Sequence, residues 1–166
     1  MTSIARDAER VAALIRTLDL VPHPEGGWFH RTFRSAHEVR RSTDRARRAA
    51  LTAILYLLPV DGFSRWHRVA ADETWHHYEG APIDLLSLDP AGGTLVVQQL
   101  GPVADSALPQ RTVPAGHWQA ARPQGGYALL GCSVGPGFDF RDYDMLVDQP
   151  ELARTLLGES ELRGLL

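Results

Sequence analysis

Residues Phe63–Gly80 read F-S-R-W-H-R-V-A-A-D-E-T-W-H-H-Y-E-G, and their reading decides the fold. Two short runs of alternating character flank the small turn Ala70-Ala71-Asp72, the pattern of a strand, a turn and a second strand. Period-2 alternation puts Glu73, Trp75 and His77 on one face of the second strand, and sends Trp66 to the face opposite His67 on the first. A histidine and a glutamate six positions apart, with Gly80 seven further on, therefore face the interior of a β structure.

Working outward, Leu51–Leu58, Ile83–Leu88, Thr94–Leu100, Gln110–Val113, Trp118–Arg122 and Tyr127–Val134 are further strand-like runs, and Trp28–Ser35 is another. Asp61-Gly62, Asp89–Gly93, Pro114-Ala115-Gly116 and Gln124-Gly125-Gly126 supply the turns between them. Many short strands at regular spacing predict an antiparallel sandwich or barrel, with no alternation of strands and helices. Ile4, Ala8, Val11, Ile15 and Leu18 recur at helical spacing, so residues 1–20 form an N-terminal amphipathic helix. The tail from 150 to 166 reads as a C-terminal helix able to cover one edge of a roll spanning 28–145. With 166 residues and no repeat or linker, one domain accounts for the chain.

Composition excludes several chemistries. All 17 basic residues are arginine, so no lysine exists for a Schiff base or a phosphate loop. The single Cys132 rules out intrachain disulfides and thiolate zinc clusters, and its apolar surroundings read as a buried structural thiol. A net charge of -3 gives no reason to expect nucleic acid. The basic run Arg40, Arg41, Arg45, Arg47 and Arg48 reads as a solvated loop, the alternative being contact with an anionic ligand or partner. No apolar stretch is long enough to span a bilayer and no signal-peptide core precedes the helix, so no membrane association and a cytoplasmic location are expected.

Five blocks in order carry a resemblance: Val21–Gly27 (V-P-H-P-E-G-G), Phe63–Val69, Asp72-Glu73 with Trp75, Val113–Gly116 with Trp118-Gln119, and Gly131-Cys132 leading to Pro136–Phe140. Together they resemble the cupin-5 family, sugar-epimerase-like jelly rolls of the cupin superfamily. The resemblance implies an all-β, double-stranded β-helix barrel and a homodimer. Against the cupin metal pattern, His67 and Glu73 stand in register, but Val69 replaces the second histidine and Gln119 the last ligand. Valine cannot donate to a metal, and an amide oxygen is a poor partner for zinc or iron. A divalent metal is therefore expected only if His77 completes a His67–Glu73–His77 triad; otherwise no cofactor is expected.

Without metal, His67 beside a buried Glu73 makes an acid/base pocket in which His67 is the general base and the carboxylate tunes its pKa. Tyr78 or Tyr56 would return a proton, and Arg65 would be an alternative partner for Glu73. Arg65, Trp75, His77, Gln119 and Tyr56 would face a small-molecule ligand. His23 and Glu25 lie in a segment that Pro24, Gly26 and Gly27 explain as a plain turn, the alternative being a contribution to the pocket mouth. Three functions stay open: a metal-independent isomerase or epimerase on a sugar-like or other small polar substrate, a metal-dependent dioxygenase or lyase, and a non-catalytic ligand-binding cupin. The plainest alternative is that His67 and Glu73 form a satisfied polar pair in the core.

Overall fold

The computed structural model describes residues 3–158 and 160–166. Ser3–Thr17 is helix α1. The strands follow as Val21–Pro22 (β1), Trp28–Arg34 (β2), Glu38–Arg40 (β3), Arg47–Ala49 (β4), Thr52–Leu58 (β5), Ser64–Val69 (β6), Asp72–Gly80 (β7) and Ile83–Leu88 (β8). Val96–Leu100 (β9), Ala107–Leu108 (β10), Gln110–Val113 (β11), Trp118–Pro123 (β12), Ala128–Gly135 (β13) and Tyr143–Met145 (β14) complete the set, before helix α2 at Pro150–Leu157. Two six-stranded sheets result, ordered β1-β2-β5-β13-β7-β11 and β10-β9-β8-β12-β6-β14. This is the all-β jelly roll with helices at both ends.

Alternation along each strand divides the apolar residues among three clusters. Tyr56, Leu58, Trp75, Leu130 and Cys132 of the first sheet meet Ile83, Leu85, Leu100 and Ala121 of the second in the space between the sheets. Leu57 and Leu129 point the other way, to the back of the first sheet, where Val11, Leu14 and Ile15 of α1 cover them. Trp66, Leu86, Leu88, Trp118 and Ala120 form the back of the second sheet and are covered by Leu146, Ala153, Leu157 and Leu165 of the C-terminal segment. Trp66 is fully buried there and its Nε1 donates to the Leu162 carbonyl at 3.0 Å, so it does face away from His67. Sheets covered on both faces explain the nearly continuous apolar runs of β5, β8 and β13.

Two segments differ from the sequence reading. The tail expected to be helical over 150–166 breaks after Leu157, because Gly158 takes φ 56 and ends α2. A 3₁₀ stretch at Glu161–Leu165 follows. The arginine-rich run is an antiparallel hairpin, β3 with β4, in place of a solvated loop. Two of its arginines are nearly buried: Arg48 Nε and Nη2 each lie 2.6 Å from the Asp142 carboxylate, and Arg41 Nη1 lies 2.9 Å from it. Local polarity concealed this, since the partner is about a hundred residues away in sequence.

The turn between β1 and β2 is pinned to the barrel. The Arg65 N–H donates to the Glu25 carbonyl at 2.8 Å, and the Tyr56 hydroxyl donates to the Gly26 carbonyl at 2.7 Å. Gly26 sits at φ +108, where a Cβ would also overlap the Phe63 carbonyl oxygen. Gly26→Ala should therefore cost about 2 kcal/mol or more, lowering the melting temperature by roughly 4–8 °C. Gly125→Ala is the control: φ is +89 but the space is open, so only about 1 kcal/mol of backbone strain is expected. Equal losses in the two variants would contradict the close approach at Gly26.

Candidate functional site

One end of the space between the sheets is filled by the first apolar cluster; the other is open. Thr52 and Ile54 of β5, Cys132 and Val134 of β13, and Val69 of β6 line the open end. Phe138, Phe140 and Tyr143, from the segment after β13, close over it. Pairing of β14 with β6 sets Tyr143 opposite Val69. The Asp142 clamp to Arg41 and Arg48 holds the same segment from outside. The free volume is about 60 Å³, room for roughly five water-sized groups.

His67 lies at the floor, 2% exposed, between two buried carboxylates. Its Nδ1 is 2.7 Å from the Arg65 carbonyl, which only accepts, so Nδ1 carries the hydrogen. The neutral ring thus presents the Nε2 lone pair to Glu25 Oε2 at 3.3 Å. Glu25 also accepts from Ser64 Oγ at 2.9 Å and from the Tyr143 hydroxyl at 3.4 Å. Burial raises the pKa of Glu25 and lowers that of His67, and both shifts favour the uncharged form of the pair, carboxylic acid beside imidazole. His23 stands on the other side of Glu25, Nδ1 to Oε2 3.6 Å, with its own pKa depressed by burial.

Glu73 is the second carboxylate. Gln119 Nε2 donates to its Oε2 at 2.5 Å, while Trp75 Nε1 donates to Gln119 Oε1 at 3.0 Å. The buried chain Trp75–Gln119–Glu73 fixes both the amide orientation and the carboxylate. Burial raises the pKa of Glu73, and a charged His67 and the Gln119 donor oppose the rise. The Cys132 thiol, buried beside Glu73, has its pKa driven well up by burial and is held as a neutral donor.

The structure brings His67, Glu73 and Gln119 together and disperses the other expected residues. Trp75 and Tyr56 are buried in the filled half of the barrel, so neither lines the pocket. Tyr56 anchors the β1–β2 turn and cannot serve as the proton donor considered for it. Arg65 is exposed and reaches only the Pro24 carbonyl, at 3.3 Å, so it is no partner for Glu73. Tyr78 is 56% exposed on the outer face, stacked on His76. A register irregularity between Leu129 and Leu130 shifts the pairing of β7 beyond His77. His77 shares the inward face with Glu73, but four residues of extended strand separate them by roughly 13 Å. Its Nε2 instead lies 3.1 Å from the Ala81 carbonyl.

Glu25 and Tyr143 are the residues that sequence reasoning undervalued. Glu25 was read chiefly as part of a turn and only secondarily as a residue of the pocket mouth, and its signal was an acid set between Pro24 and two glycines, a turn sharp enough to aim a side chain inward. Tyr143 carried no signal before β14 was known to pair with β6. The positions considered for a metal do not assemble the expected ligand set. The amide N–H of Gln119 points at Glu73, Val69 offers nothing, and His77 is out of reach. Among the described residues no three His, Cys, Asp or Glu side chains are grouped to hold an ion.

The family model described as Cupin superfamily (DUF985) matches residues 12–146. A hypothetical protein from Leishmania major is 32% identical, with 93% of this chain and 97% of that one covered and a TM-score of 0.77. A crystal structure of a protein from Shewanella oneidensis is 30% identical over 92% and 94% of the two chains, with a TM-score of 0.80. Oxalate decarboxylase from Bacillus subtilis is 14% identical with a TM-score of 0.57, covering 87% of this chain and 36% of that one. That likeness extends to the fold alone. None of the curated proteins matches.

Burial of Glu25 has a stability signature. A carboxyl whose folded pKa is raised contributes most below its unfolded value, near 4.5, and that contribution falls as pH climbs toward the folded value. Glu25→Gln imitates the protonated acid, its amide donating to His67 Nε2, and does not titrate. Its unfolding free energy, followed by thermal melts at each pH, should gain on wild type from pH 5 to 8, by about 1.4 kcal/mol for each unit of upward shift. A gap constant across that range would show that Glu25 stays ionised.

Proposed function

The chain belongs to the DUF985 family of the cupin superfamily, and on that premise we propose that it is a metal-independent isomerase or epimerase, moving a proton on a small polar molecule held in the open end of the barrel. The observation that carries the reading is His67 set between two buried carboxylates at the floor of an accessible pocket. A merely structural histidine–carboxylate pair needs one acid and no opening. Here a second acid is retained, at a desolvation cost that packing alone does not repay.

Two acids with different surroundings support different roles. Glu73, accepting from Gln119, is the base that takes a proton from carbon next to a carbonyl; its upward-shifted pKa makes it a stronger base than a solvated carboxylate. Glu25, protonated against His67 Nε2, donates to the carbonyl oxygen as charge develops there. The carbon–hydrogen pair of electrons becomes the enediol double bond, and the carbonyl electrons become the new O–H bond. Delivery of the proton from Glu73 to the former carbonyl carbon, with loss of the other enediol hydroxyl's proton to Glu25 and formation of the new carbonyl there, completes an isomerisation. The Tyr143 hydroxyl, on the wall beside Glu25, is the second donor that inversion of a carbon centre would require.

Solvent exchange tests this. Dihydroxyacetone, glyceraldehyde and short 2-oxo acids in deuterium oxide, followed by proton NMR, should lose signal next to the carbonyl only with protein present. Glu73→Gln should slow the loss by about 100-fold or more while leaving the melting curve cooperative. Exchange unaffected by that variant would remove Glu73 from the mechanism. Ligand-dependent thermal stabilisation with no exchange in any probe would leave a binding protein in place of an enzyme.

A further inference from the structure

The Arg31 guanidinium stands at the pocket mouth without an acid. β2 turns Phe29 inward and brings Arg31, two residues on, to the same lining farther out. Among the described residues no side-chain partner meets it, neither an ion pair nor a hydrogen bond. The contrast is with a second concavity nearby, where Arg41, Arg68 and Arg141 each already hold an aspartate. In that concavity the protein supplies its own anions; at Arg31 it does not.

We infer that Arg31 is the specificity-determining residue for a short-chain oxo acid, whose carboxylate it takes at the mouth while the carbonyl end enters the floor. The inference rests on the proton-transfer reading above for what happens at that floor. Charge sets the orientation. Glu25 and Glu73 at the bottom disfavour an anion there, and they accept a neutral carbonyl instead. The planar guanidinium matches a carboxylate with two parallel hydrogen bonds. The walls between, Ile54, Val134, Phe29 and Phe138, are apolar and suit a short carbon chain. Beyond a carboxylate held at the mouth, the free volume of about 60 Å³ admits roughly four to six heavy atoms, less than a whole hexose.

The probe is 4-oxopentanoate, whose two methylenes separate the carbonyl from the carboxylate, compared with its neutral methyl ester, in wild type, Arg31→Gln and Arg31→Lys. Calorimetric or NMR titration should show wild type binding the acid about tenfold or more tighter than the ester, the scale of one charge-assisted pair. Arg31→Gln should lose that preference and keep its affinity for the ester, and Arg31→Lys should retain part of it. Because Arg31 is exposed, both variants should melt as wild type does. The inference is overturned if 4-oxopentanoate fails to bind at millimolar concentration, if wild type does not prefer it, or if Arg31→Gln prefers it equally. Arg31-dependent binding without deuterium exchange would support this substrate class and sink the proton-transfer role. Exchange with the same half-saturation in Arg31→Gln would do the reverse.

Discussion

The Glu25 carboxyl, carried into the barrel and set against His67 Nε2, is the interaction on which the rest of this structure depends. An acid with 5% exposure must find partners or a proton. Ser64, Tyr143 and the imidazole supply the partners, and burial supplies the reason to hold the proton. To bring it there the chain needs a turn tight enough to place a carbonyl against β6. Gly26 and Gly27, both at positive φ, make that turn, and Tyr56 locks it. The histidine is oriented by backbone in the same neighbourhood, since the Arg65 carbonyl selects its tautomer. Floor, turn and strand β6 thus form one unit, and a change in any of them reaches the others.

Gln119 shows how a barrel of this kind works without the ligand its strand position would otherwise carry. A metal-binding imidazole at that place would take a lone pair to the centre. The amide instead offers N–H to Glu73 and oxygen to Trp75, which turns a coordination position into a brace. Glu73 then remains a free base with one oxygen fixed.

The fold was legible because both sheets are covered on both faces. Apolar runs such as Leu55–Leu58 and Leu129–Leu130 alternate between two different interiors, and turn residues separate them cleanly. His67, Glu73 and Gln119 were legible too, as inward positions on adjoining strands. What was not legible arose from long-range packing. The inward aim of Glu25 depends on where β6 lies, the partner of Arg48 sits in a segment 94 residues away, and Tyr143 gains its place from a three-residue strand. Tyr78 and His77 were misplaced for a different reason: alternation gives the face of a strand but neither the depth along it nor a register irregularity.

The absence of lysine bears on the clamp over the pocket. Asp142 is held by Arg41 and Arg48, whose guanidinium groups keep its pKa below the usual carboxylate range. Guanidinium does not lose its charge at any pH a cell reaches. The aromatic cover and the pocket floor therefore answer to separate parts of the pH scale. The cover keeps one setting, while burial displaces the groups beneath it, Glu25 and Glu73 upward and His67 downward. Chemistry at the floor can be titrated without loosening the roof.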